Sequence, residues 1–192
     1  FTRWLGYTMI NPTVQSTKSG GPLAAAWAVL NYVGDGQYLA FAEKQLLAVE
    51  AIKKGIASIP ELYLLAEPDM TLLSFGSDKV NVFHIIDEMN RKGWYIQPSL
   101  SFDGVPANIH LSVTLSNVDH TDRFLADLKQ SVADAQKLPS GELLPHVRQI
   151  LEKEGEAMLK NPLPLFALAG IQDGRMPERM APVNEVLDSL PP

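Results

Sequence analysis

The sequence has 192 residues, a formal net charge of −6, 46% hydrophobic and 20% charged residues, and no cysteine. This content suits a folded chain of one domain or parts of two, and the acidity argues against a general nucleic-acid surface. The lack of cysteine excludes a disulfide framework and thiolate metal sites, and no apolar run reaches the roughly 18 residues of a membrane span; with no signal peptide visible, a cytoplasmic protein is expected, although a membrane anchor upstream of Phe1 would leave no trace here.

Residues 3–10 read as an extended segment, followed by the polar loop Asn11-Pro12-Thr13-Val14-Gln15-Ser16-Thr17-Lys18-Ser19-Gly20-Gly21. An apolar helix over 20–33 follows, with Pro22 in its first turn. Its Ala24–Ala28 run, with Trp27, is apolar nearly all round and is expected to be deeply buried. Gly34-Asp35-Gly36 ends it, and a long amphipathic helix runs from about Gln37 to Ala57. Then the pattern changes. Strands are expected at 62–67 and 72–77, split by Pro68-Asp69, and a helix at 81–92 closed by Gly93. Further strands follow at 94–102 and 108–115, then a helix at 119–137 capped by Asn117 or Asp119. This succession describes a small α+β domain with a mostly antiparallel sheet. From Pro139 prolines recur. Two helices, at about 143–160 and 178–190, are expected around an irregular segment, whose stretch Leu163–Ile171 is too apolar for a free linker and should pack on the body or a partner subunit.

A loop that carries hydroxyls, a cation and two glycines into a helix N-terminus suits a phosphate group, though the same pattern also serves as a plain cap and turn. The four histidines have no metal-ligand spacing, and no nucleophile elbow, Walker-type loop or dinucleotide fingerprint occurs. His84 and His120 sit in helical or capping contexts and read as structural, and His146 falls in the tail. Trp27, Trp94 and Tyr95 read as core, and Glu152-Lys153-Glu154 as a solvated helix face.

Trp4, Gly6, Asn11-Pro12-Thr13, the loop through Gly20-Gly21 and Ala25-Ala26-Trp27-Ala28 resemble sphingosine-1-phosphate lyase and its bacterial relatives, within the fold-type-I pyridoxal-phosphate-dependent decarboxylase group. Gly93-Trp94 and Ile109-His110-Leu111-Ser112-Val113-Thr114-Leu115 extend the likeness, which covers about residues 4–137. Where the family has Gly-Ser-Arg-Pro, this chain has Ser16-Thr17-Lys18-Ser19. Thr17 keeps the hydroxyl and Lys18 the charge, but lysine lacks the two-pronged geometry of arginine.

The resemblance implies the following expectations. The fold is α/β and α+β: residues 1–58 end the large cofactor domain, 59–137 form a small α+β domain, and 138–192 a helical, proline-rich extension. The cofactor is pyridoxal 5'-phosphate, its phosphate met by Thr17 and Ser16 across a homodimer interface. Lys18 and His110 are substrate-binding candidates, His110 projecting to the sheet face opposite its apolar neighbours. The substrate is a phosphorylated amino alcohol cleaved by a retro-aldol reaction, or an amino acid that is decarboxylated. No His-Lys pair occurs in the sequence, so no catalytic residue is expected here, and the cofactor-bearing lysine should lie in an upstream half of the enzyme. A non-catalytic fragment or interaction domain is the alternative from another class. No nucleic-acid partner and no metal are expected.

Overall fold

The computed structural model describes residues 18–155, 161, 163–171 and 174–190. The expected extended segment at 3–10, and Ser16 and Thr17, lie outside the described residues. The chain divides into two compact units, residues 1–42 and 43–192.

In the first unit, helix α1 (Gly20–Ala57) begins where the Gly-Gly-Pro sequence places it. Gly34 leaves helical geometry at φ 69°, ψ 163°. That conformation is open to glycine and costly for other residues, so the expected break is present as a kink between two helical stretches. Among the described residues nothing covers the apolar stretch before it: Leu23, Trp27 and Leu30 are exposed, Trp27 at 68%, so the burial expected for this helix is not met by the described part of the chain.

The second unit is built on a four-stranded antiparallel sheet of order β1-β2-β4-β3, with β1 at Tyr63–Leu64, β2 at Leu72–Gly76, β3 at Gln97–Ser99 and β4 at Asn108–Ser112. Phe75 pairs with Ile109 and Leu73 with Leu111, so one face of the central strands is apolar. Ser74, His110 and Gln97 share the opposite face, because they are register partners across β2, β4 and β3. Onto the apolar face pack α2 (Val82–Arg91), α3 (Thr121–Ala135) and the C-terminal part of α1. Val49, Ile52, Ile56, Phe75, Ile85, Met89, Ile109, Phe124 and Leu128 are its buried centre. The fold class read from the sequence, a small α+β domain with an antiparallel sheet, is the observed one.

Asn81 caps α2: its side-chain oxygen accepts from the Phe83 N–H at 2.9 Å. The expected cap of α3 by Asn117 or Asp119 is not made: Asn117 makes no side-chain cap bond, Asp119 pairs with Lys44 at 2.8 Å, and His120, which stands at the N-cap, makes no cap bond either. Asn117 instead accepts from the Thr114 N–H at 2.7 Å and donates to the Ser112 carbonyl at 2.9 Å, pinning the loop after β4. A 3₁₀ turn at Val118–His120 leads into α3.

Beyond α3, α4 (Leu144–Glu154), α5 (Leu163–Leu168) and α6 (Ala181–Asp188) enclose a second, smaller core of Val147, Leu165, Ala169, Val183 and Val186. The apolar stretch from Leu163 packs on the body as expected, but as a helix and not as an irregular segment.

Candidate functional site

Lys18 and Ser19 lie exposed immediately before α1. The Gly21 N–H reaches the Ser19 hydroxyl at 3.4 Å. A Cβ placed on Gly20 would meet nothing within 4 Å, and one on Gly21 would meet only that Ser19 oxygen. Among the described residues the start of α1 is therefore uncrowded, with backbone donors, the Ser19 hydroxyl and the Lys18 ammonium in one short segment. That donor set fits an anionic phosphate.

His110 belongs to the second unit. It lines a pocket of about 330 Å³ together with Trp94, Gln97, Ser112, Asn117 and Phe124. Its Nε2 lies 3.4 Å from the Ser112 hydroxyl. Among the described residues no Lys, Arg, Asp or Glu lines this pocket, so it suits groups that offer a few hydrogen-bonding atoms. Trp94 is part-buried: its indole N–H donates to Asp127 at 2.8 Å, and its ring meets Phe124 edge-on at 5.3 Å. Tyr95 is 89% exposed, so the core reading of that residue is wrong. His120 and His146 are exposed.

A third cluster lies on α2. Asp87 is buried and accepts from the Met180 and Ala181 N–H groups at 3.0 and 2.8 Å. Glu88 pairs with Arg179 at 2.6 Å. Glu185 of α6 is buried and accepts from Asn81 at 2.5 Å and from the Gly141 N–H at 3.2 Å, and lies 3.4 Å from His84 Nε2. Burial raises the Asp87 carboxyl above its ordinary value, outweighing the two amide bonds and the nearby Arg179 and His84. Burial also pushes Glu185 up, yet His84, the Gly141 N–H and Ser140 together hold it below its ordinary value. The sequence reading missed this cluster. Its signal was present in the spacing of His84, Asp87 and Glu88, three and four residues apart and so on one helix face.

Residues 163–192 match the family model described as "Pyridoxal-dependent enzyme, C-terminal putative HTH domain". Sphingosine-1-phosphate lyase from Oryza sativa is 34% identical over 138 residues, which are 72% of this chain and 25% of that protein. The Arabidopsis thaliana protein of the same name is 33% identical over the same shares. The solved sphingosine-1-phosphate lyase of Burkholderia pseudomallei superposes with a TM-score of 0.60 at 28% identity, over 79% of this chain and 33% of that one.

The chain is similar to the sphingosine-1-phosphate lyase-like pyridoxal-dependent enzymes.

It corresponds to their C-terminal part and spans about a quarter of the length of the curated relatives it matches. Glutamate decarboxylase from Lactobacillus brevis, at a TM-score of 0.54 and 15% identity, shares the fold. The resemblance read from residues 4–137 is thus borne out, and the family likeness extends into the tail, where less of it was legible in the sequence.

Proposed function

We propose that this chain is the C-terminal part of a pyridoxal-phosphate-dependent carbon–carbon lyase that acts on a phosphorylated amino alcohol. The observation that carries the reading is the agreement between the uncrowded, donor-rich start of α1 and the 34% identity to a protein named as a sphingosine-1-phosphate lyase. The amino-acid decarboxylases share only the fold, so decarboxylation has the weaker support.

In this reading residues 1–58 complete the cofactor domain. Thr17 and Ser16 supply hydroxyls, and the first amides of α1 supply N–H groups, to the cofactor phosphate across a homodimer interface. When bound, the cofactor serves as the electron sink for cleavage next to the amine. Lys18 offers an ammonium to the substrate phosphate as a point charge, without the fork of an arginine. His110, on the sheet face with Gln97 and Ser74, is the second substrate-binding candidate, placed at that pocket and suited to a group that offers hydrogen-bonding atoms. The lysine that holds the cofactor comes from outside these residues.

The test is a set of variants in the complete enzyme. Thr17→Val keeps the shape and removes a hydrogen bond to a charged group, worth about 1.5–3 kcal/mol. Cofactor affinity should fall roughly tenfold or more, while Thr17→Ser stays near wild type. Lys18→Ala should raise KM for the phosphorylated substrate more than it weakens the cofactor. Unchanged cofactor affinity in Thr17→Val would reduce the loop to a helix cap.

A further inference from the structure

The segment that matches the family description of a helix-turn-helix is the least expected part of the chain to be buried. A helix that reads nucleic acid must present its side chains to a groove and carry positive charge toward phosphates. Here α6 does neither. Ala181, Val183, Asn184, Glu185 and Val186, five of its eight residues, are buried against the protein. The helix contains Glu185 and Asp188 and no Lys or Arg, and residues 163–192 hold four acidic and two basic residues. One of those two, Arg179, is paired with Glu88.

What α6 meets instead is the acidic face of α2. Asp87 takes the two N–H groups at the start of α6, where a helix has unpaired donors and a partial positive charge. Glu88 holds Arg179, and Glu185 returns from α6 to Asn81, Ser140 and Gly141. The apolar side chains of the segment face elsewhere. Val147, Leu165, Ala169, Val183 and Val186 form their own core, and from α6 only Ala181 joins the core beneath the sheet. The seam is also imperfectly paired. Among the described residues, Nδ1 of His84 and Nη1 of Arg179 are buried without a hydrogen-bond partner, beside a cleft of about 260 Å³, while Nε2 of His84 faces Glu185 at 3.4 Å. Buried unpaired donors lower the cost of opening a seam, because water pairs them once it opens.

We propose that α4, α5 and α6 form an intramolecular brace whose partner is α2 of the same chain. The brace is latched by Asp87, Glu88 and Glu185, opens as one unit with its own small core, and reads no nucleic acid.

The test is native-state hydrogen exchange on the full chain, with duplex DNA of random sequence titrated in parallel at low salt. Amides of α4, α5 and α6 should exchange as one group, faster than those of β2 and β4. Asp87→Ala should speed that group at least tenfold and leave the sheet amides unchanged. Arg179→Gln, which cuts the latch from the side of the brace, should act in the same direction. No DNA complex should form with any of the three proteins at micromolar concentration. The proposal is overturned if all amides exchange together in the wild type, if Asp87→Ala or Arg179→Gln speeds the sheet equally, or if the wild type binds the duplex.

Discussion

Asp87 and Glu185 face one another's elements across the same seam, and their ionisations act on stability with opposite sign. Glu185 has its pKa held below the ordinary value by His84, the Gly141 N–H and Ser140 acting against burial. Its contribution is complete above the ordinary glutamate pKa and is lost as pH falls through the depressed folded value. Asp87 is the reverse case, since burial holds its pKa above the ordinary value. Folded protein binds its proton more readily than unfolded protein, so its contribution is present below the ordinary aspartate pKa and is lost as pH rises through the raised one. Single variants separate the two. Glu185→Gln should cost about 1–3 kcal/mol near pH 7, from lost hydrogen bonds to a charge, and should flatten the loss of stability on acidification. Asp87→Asn removes the opposing contribution, so acidification should then destabilise more steeply than in the wild type. Urea midpoints between pH 7 and pH 3 measure both slopes, and identical slopes in wild type and Glu185→Gln would refute the assignment.

At the scale of elements, the sequence specified most where a single residue type does one physical job. Gly34 marks the break in α1 because its φ of 69° needs a missing Cβ. Asn81 marks the start of α2 because its side chain accepts an otherwise unpaired N–H. The strand over 108–115 was legible from alternation, and the one over 72–77 from the Pro68-Asp69 turn that precedes it; they are observed at Asn108–Ser112 and Leu72–Gly76. The strand expected from Trp94 fails for a tertiary reason. The Trp94 N–H is held by the Met89 carbonyl at the end of α2, and its indole by Asp127, so the chain joins the sheet only at Gln97. Helix α5 was missed because six apolar residues with Pro164 among them have no readable period. Gly55 carries information that no pattern reveals. A Cβ there would overlap the Leu125 side chain, so Leu125 would have to shift to admit any larger residue at this contact of α1 with α3. Alanine is the better helix former by about 1 kcal/mol, yet Gly55→Ala should be net destabilising, because overpacking costs about 1–3 kcal/mol. Adding Leu125→Ala should recover part of the loss, and a double-mutant cycle by urea unfolding measures it. Strictly additive single effects would place the two side chains out of contact.

At the scale of the whole molecule, the two units differ in how completely they bury themselves. Residues 43–192 enclose two cores. The helical stretch before Gly34 instead leaves Leu23, Trp27 and Leu30 on its surface, at positions three and four apart that share one helix face. The sequence reading recognised this helix as a buried one but had no means of naming what covers it, because a periodicity reports that a face is apolar and not where its partner comes from. A contiguous apolar face of this kind marks an interaction surface, and under the proposed function its cover would come from structure outside these residues. Trp27 distinguishes the two situations. In this chain alone, where it is 68% exposed, Trp27→Ala should change stability by less than about 0.5 kcal/mol, as surface substitutions do. In the complete enzyme the same substitution becomes a large-to-small change in a core and should cost about 3–5 kcal/mol. Unfolding by urea in both contexts, followed by circular dichroism, reads the difference. A small effect in both contexts would leave the face uncovered and remove the interface from the proposal.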